Sequence, residues 1–76
     1  MFKYKLVKQK LYNEDIGVYT SFGILVIEEA PEGERTVDTI SDVSVDYDLV
    51  CNFVDKINTY QLHPIFLPEL IEILIS

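Results

Sequence analysis

The chain has 76 residues, 49% of them apolar, and carries thirteen acidic against six basic side chains for a formal charge of −7. A chain of this length buries only about 60% of the surface its unfolded form exposes, so one modest core is all it can build, and its apolar share excludes a disordered chain. The negative balance repels a phosphate backbone at long range and argues against duplex nucleic acid as a partner.

A single cysteine, Cys51, cannot close an internal disulfide, which points to a reducing, cytoplasmic compartment. No apolar run after Met1 is long enough for a signal-peptide core, and the C-terminal apolar segment is interrupted by Glu69 and Glu72, far short of the ~20 residues a membrane helix needs. We therefore expect one cytoplasmic domain over residues 1–76 with no membrane span.

From residue 2 to 12, Phe2, Tyr4 and Leu6 alternate, then Val7 and Leu11 fall on the other parity, which predicts a strand with a bulge near Leu6 and Val7. Asn13, Glu14, Asp15 and Gly17 supply turn chemistry. The run over 18–28, with Phe22, Ile24, Leu25, Val26 and Ile27, predicts a central strand covered on both faces. A polar loop over Ala30–Glu34 leads to a shorter, more polar strand over 36–42, suited to an edge where its Asp residues discourage further pairing.

Ser44 is the expected N-cap of a helix over about 45–60, with Asp46 and Asp48 at the positive end of its dipole. Val50, Phe53, Val54 and Ile57 write its core face. Pro64 ends that run, and Pro68 suits the first turn of a second helix over 67–75, whose core stripe is Leu67, Leu70, Ile71 and Leu74. Strands followed by helices predict an α+β domain: a three-stranded antiparallel meander, then two helices packed on one face, in the order βββαα.

Three strings, Phe22-Gly23-Ile24, Ile40-Ser41-Asp42 and Leu62-x-Pro64-Ile65-x-Leu67, give the chain from Tyr19 to its end a resemblance to a family of small Firmicutes proteins of unknown function. The resemblance implies a bacterial cytosolic protein and supplies no activity. Gly23, Asp42 and Pro64 all have backbone explanations.

His63, the only histidine, is expected to shape the turn before Pro64 rather than act as a base or ligand, and Cys51 to pack as a small helical residue. The acids Glu28, Glu29, Glu32, Glu34, Asp38, Asp42, Asp46 and Asp48 have no cation-loop order, and the three glycines are too scattered for a phosphate loop. We expect no catalytic, cofactor-binding or metal-binding residue.

Two features remain. Lys3, Lys5, Lys8 and Lys10, interleaved with Phe2, Tyr4 and Tyr12, read as solvent-side lysines that guard a strand edge, with a single-strand nucleic-acid platform as the alternative. Phe66, Leu70 and Ile73 form a second apolar line on the last helix. Burial between the sheet and the first helix is the reading we adopt for that line, and a contact surface, including one between two copies in a homodimer, is the other. The function these residues favour is a non-enzymatic protein-interaction or regulatory module; weak single-stranded nucleic-acid binding stands second, and a carboxylate-based enzyme last.

Overall fold

The computed structural model describes residues 1–76 and consists of β1 (Phe2–Asn13), β2 (Gly17–Ala30), β3 (Gly33–Ser44), α1 (Tyr47–Thr59) and α2 (Leu67–Ile75), with a 3-10 turn at Pro64–Phe66. The three strands pair antiparallel in the order β1-β2-β3, so the chain is the expected α+β meander followed by two helices.

β1 and β2 pair without interruption from Phe2 opposite Glu28 to Asn13 opposite Gly17. The bulge expected near Leu6 and Val7 is therefore not there. Phe2, Tyr4 and Leu6 keep to the core side, and Val7 and Leu11 break the alternation because the other face of the sheet also carries apolar residues. At the turn, the Asp15 N–H donates to Asn13 Oδ1 at 2.8 Å and Gly17 takes a φ of 79° that other residues adopt at a cost.

The irregularities lie between β2 and β3. Val37 is an extra residue between the pairs Val26–Asp38 and Ile27–Thr36, and Ser41, Asp42 and Val43 together face Gly23 alone. Asp42 there turns into the left-handed region, φ 54°, and its carboxylate accepts from the Ser21 hydroxyl at 2.6 Å and the Tyr19 hydroxyl at 2.9 Å. Its own N–H donates to Gln9 Oε1 at 2.9 Å, while Gln9 Nε2 donates to Ser41 Oγ at 3.1 Å. A Cβ on Gly23 would run into the Ile40 carbonyl oxygen. The strings Phe22-Gly23-Ile24 and Ile40-Ser41-Asp42 are thus the two sides of one bulge.

β3 is longer than the expected 36–42 because Gly33, Glu34 and Arg35 still ladder with Ala30, Glu29 and Glu28, leaving a two-residue turn at Pro31 and Glu32. β2 is covered on one face, not two. α1 contacts all three strands and α2 contacts β3, closing a core of Tyr4, Ile24, Val26, Val43, Val50, Val54, Ile57, Leu67 and Ile71. On the open face, Leu25 lies between Lys5 and Thr39, and Ile27 between Lys3 and Thr36. Lys3 in turn pairs with Glu34. Aliphatic stems of long neighbours cover these apolar side chains where a second layer would otherwise be needed, so Ile27 stays buried.

β3 ends at Ser44 opposite Phe22, and the hairpin from Lys10 to Thr20 continues beyond it as a two-stranded ribbon. Tyr12, Ile16 and Val18 on this ribbon are exposed, and the molecule is elongated, 45 × 25 × 19 Å.

Candidate functional site

Because Ser44 is still held in β3, α1 cannot start on it: Asp46 is the N-cap, its carboxylate accepting from the Leu49 N–H at 3.1 Å, while Ser44 Oγ accepts from the Asp46 N–H. Val50, Val54 and Ile57 point into the core as their spacing requires, with Phe53 beside them. The helix stops on a Schellman pattern. Gln61 takes a φ of 50°, the Leu62 N–H donates to the Ile57 carbonyl at 3.0 Å and the Gln61 N–H to the Asn58 carbonyl at 3.1 Å. This reversal folds Leu62 back onto the helix end, next to Ile57.

Two polar contacts fix that corner to the sheet. The Tyr4 hydroxyl donates to the Leu62 carbonyl at 2.6 Å. The Asn58 carboxamide accepts from the Tyr4 N–H and donates to the Tyr4 carbonyl, both at 2.8 Å, as a neighbouring strand would. His63 has the turn-forming role expected of it: Nδ1 accepts from the Ile65 N–H at 3.1 Å, and its ring meets Phe2 edge-on with centroids 5.3 Å apart. Cys51 sits half-buried on α1 one turn after Tyr47, whose phenol is pushed up chiefly by a hydrogen bond with that thiol. No hydrogen bond joins Cys51 to His63, and the acids do not gather into a group of three that could hold a cation.

Leu67 and Ile71 anchor α2 in the core. With α2 so oriented, Phe66 and Ile73 face solvent, 55% and 70% exposed, and Leu70 is half-buried between them. The expected burial of this line between the sheet and α1 does not occur. α1 alone spans the strands, and α2, at nine residues, docks beside it against β3.

Leu70 also closes a groove of about 240 Å³ between the helices, with Phe53, Lys56, Ile57, Tyr60 and Leu62 as the other walls. The lining is apolar, Lys56 contributing its methylene stem. That volume lies below the ~300 Å³ at which pockets for drug-sized ligands begin and is of a size for apolar side chains from a macromolecule. Tyr60, 80% exposed, and the line Phe66–Leu70–Ile73 extend the groove into one continuous apolar surface. A shallower, open dent of about 390 Å³ flanks it, where Glu69, Glu72 and Ser76 surround Ile73. Sequence reasoning found Phe66, Leu70 and Ile73 but missed Phe53, Tyr60 and Leu62. Leu62 falls in the interhelical link, where periodicity carries no signal.

The lysines do not share a face. Lys3 and Lys5 lie on the open side with Leu25 and Ile27; Lys8 and Lys10 lie on the side that carries the helices, opposite Phe22 and Thr20. Of the interleaved rings, Tyr4 is in the core, Phe2 packs against it, and Tyr12 is exposed.

Two tyrosines tie this framework to pH. Burial pushes the Tyr4 phenol up, and the hydrogen bond to Asp42 does the same for Tyr19. A raised value in the folded state means stability that is fully present below the ordinary tyrosine value near ~10 and is lost as pH rises through the folded values. The urea midpoint should stay level from neutral pH to about 9 and fall above about 10, and the fall should be shallower in Tyr4→Phe. A midpoint that is flat through the alkaline range would contradict this.

Taken together, the chain is a small α+β domain whose two helices present an apolar groove away from the sheet. Over residues 1–76, the β1 segment included, it matches the Family of unknown function (DUF6514), and it belongs to that family. No curated protein and no solved structure matches the chain.

Proposed function

We propose that the domain is a non-enzymatic protein-interaction module of the bacterial cytosol, and that the surface formed by the α1–α2 groove and the Phe66–Leu70–Ile73 line is where it meets its partner. The observation that carries this reading is the outward display of Phe66 and Ile73 in continuity with a groove already walled by Phe53, Ile57, Tyr60 and Leu62. A small domain has little apolar surface to spare, and a contiguous exposed apolar surface is the usual mark of an interface. Large apolar side chains set around a cleft, with charged groups such as Lys56, Glu69 and Glu72 at its margin, fit the apolar-centre and polar-rim layout of protein contacts. The partner is a second protein or a second copy of this chain.

The test is affinity capture from nuclease-treated host lysate with the wild-type domain and with Phe66→Ser/Ile73→Ser. Both positions are exposed, so the double variant should keep its fold, within about 0.5 kcal/mol per site. It should lose the captured protein, or, if the contact is between copies, sediment as a monomer at concentrations where the wild type does not. Equal capture and equal sedimentation by both proteins would refute this assignment of the surface.

A further inference from the structure

We propose that the outer edge of β1, from Leu6 to Tyr12, takes up an extended acidic segment of a protein partner as a fourth strand. The proposal rests on the reading of the domain as a protein-interaction module, and it concerns a surface apart from the interhelical groove.

Backbone groups along an antiparallel strand alternate between pointing to the paired strand and pointing away. Tyr4 points away from β2, because its N–H and carbonyl are both taken by the Asn58 carboxamide. Leu6, Lys8, Lys10 and Tyr12 share that direction, and no side chain or loop does for them what Asn58 does for Tyr4. The result is a straight, unbulged ladder edge whose donors and acceptors await a strand. The opposite edge differs. β3 carries two bulges that break its ladder, whereas the lysines of β1 guard its edge against strands of like charge and leave its backbone groups in register.

Charge selects the occupant. Lys5, Lys8 and Lys10 are exposed and form no ion pair, and the first acidic residue of the chain is Glu14. A second copy is disfavoured, because two β1 strands paired antiparallel would set lysines against lysines and join two chains of −7 each. A single nucleic-acid strand would need lysines and stacking rings on one face, whereas these lysines lie on both and the Tyr4 ring is buried. An added strand sends alternate side chains to both faces, so acidic residues along it meet Lys5 on the open side and Lys8 and Lys10 on the helix side.

The test is an NMR titration with a capped Glu-Thr peptide of repeating Glu-Glu-Thr-Thr, which as a strand carries Glu on both faces. We expect shifts concentrated at the Leu6, Lys8, Lys10 and Tyr12 amides, binding that weakens with salt, and no binding of the matching Lys-Thr peptide. Lys8→Pro removes an outward N–H that the β1–β2 ladder does not use, and it should weaken binding about tenfold. A peptide N-methylated on every residue, which has no donor on either edge, should be inactive, which tests the backbone contacts without any change to the protein. Lys8→Glu/Lys10→Glu should abolish binding, while Phe66→Ser/Ile73→Ser should leave it unchanged, which separates this edge from the groove. The proposal is overturned if the Glu-Thr peptide does not bind, if folded Lys8→Pro binds it as tightly as wild type, or if the N-methylated peptide binds equally well. Binding of oligothymidylate, or β1-dependent dimerisation, in place of the peptide would also overturn it.

Discussion

Gly23→Ala should destabilise the domain by about 3 kcal/mol, a large part of the ~5–10 kcal/mol available to a chain of this size. The added methyl has no room. It would meet the Ile40 carbonyl oxygen, which is backbone, and Gln9 Oε1 at 3.0 Å. Neither can yield cheaply. Gln9 accepts from the Asp42 N–H and donates to Ser41 Oγ, while Asp42 is tied to Ser21 and Tyr19, so moving one member disturbs the whole bulge. Gly17→Ala is the control, since it has positive φ but open space around it and should cost only about 1 kcal/mol. Urea unfolding of both variants reads the difference, and equal midpoints would mean that the bulge is more pliable than its hydrogen bonds imply.

Leu67→Ala should cost about 2–5 kcal/mol and should act on the candidate site as well as on the fold. Leu67 is 1% exposed and, with Ile71, is what seats α2 in the core. A nine-residue helix has little stability of its own, so loss of the anchor lets α2 fray from β3 and carries Leu70 away from the groove. Hydrogen exchange should therefore quicken throughout α2 while β1 and β2 stay protected, and capture of a partner should fail together with the packing. Ile73→Ser, two turns further along the same helix, should leave exchange in α2 unchanged. If the two substitutions gave the same exchange pattern, the division of α2 into a buried stripe and a displayed line would be wrong.

Element order and type could be read from the chain because each segment carries a clean period. Val50, Phe53, Val54 and Ile57 can only be one face of a helix, and Ile24 to Ile27 suits a strand. What could not be read depends on partners distant in sequence. The polar stretch Gly33–Arg35 looks like loop and becomes strand only because Glu28–Ala30 lies beside it. Asp42 looks like an acid leading into a helix, yet its left-handed backbone is held by Ser21, Tyr19 and Gln9 from two other strands. Leu25 and Ile27 suggested a second covering layer, a role that long side chains from β1 and β3 fill instead. For the site, the second apolar line of α2 was visible in its spacing. Its exposure was not, because that depends on α2 docking beside α1 rather than beneath it.

The most direct test is a hydrogen-exchange footprint of the domain bound to the protein it captures. The interaction reading predicts added protection over the end of α1, the Leu62 link and α2, the segments that carry Phe53, Tyr60, Leu62, Phe66, Leu70 and Ile73. A bound complex with no added protection there, and with its footprint confined to the tip of the β1–β2 hairpin or to β3, would contradict it.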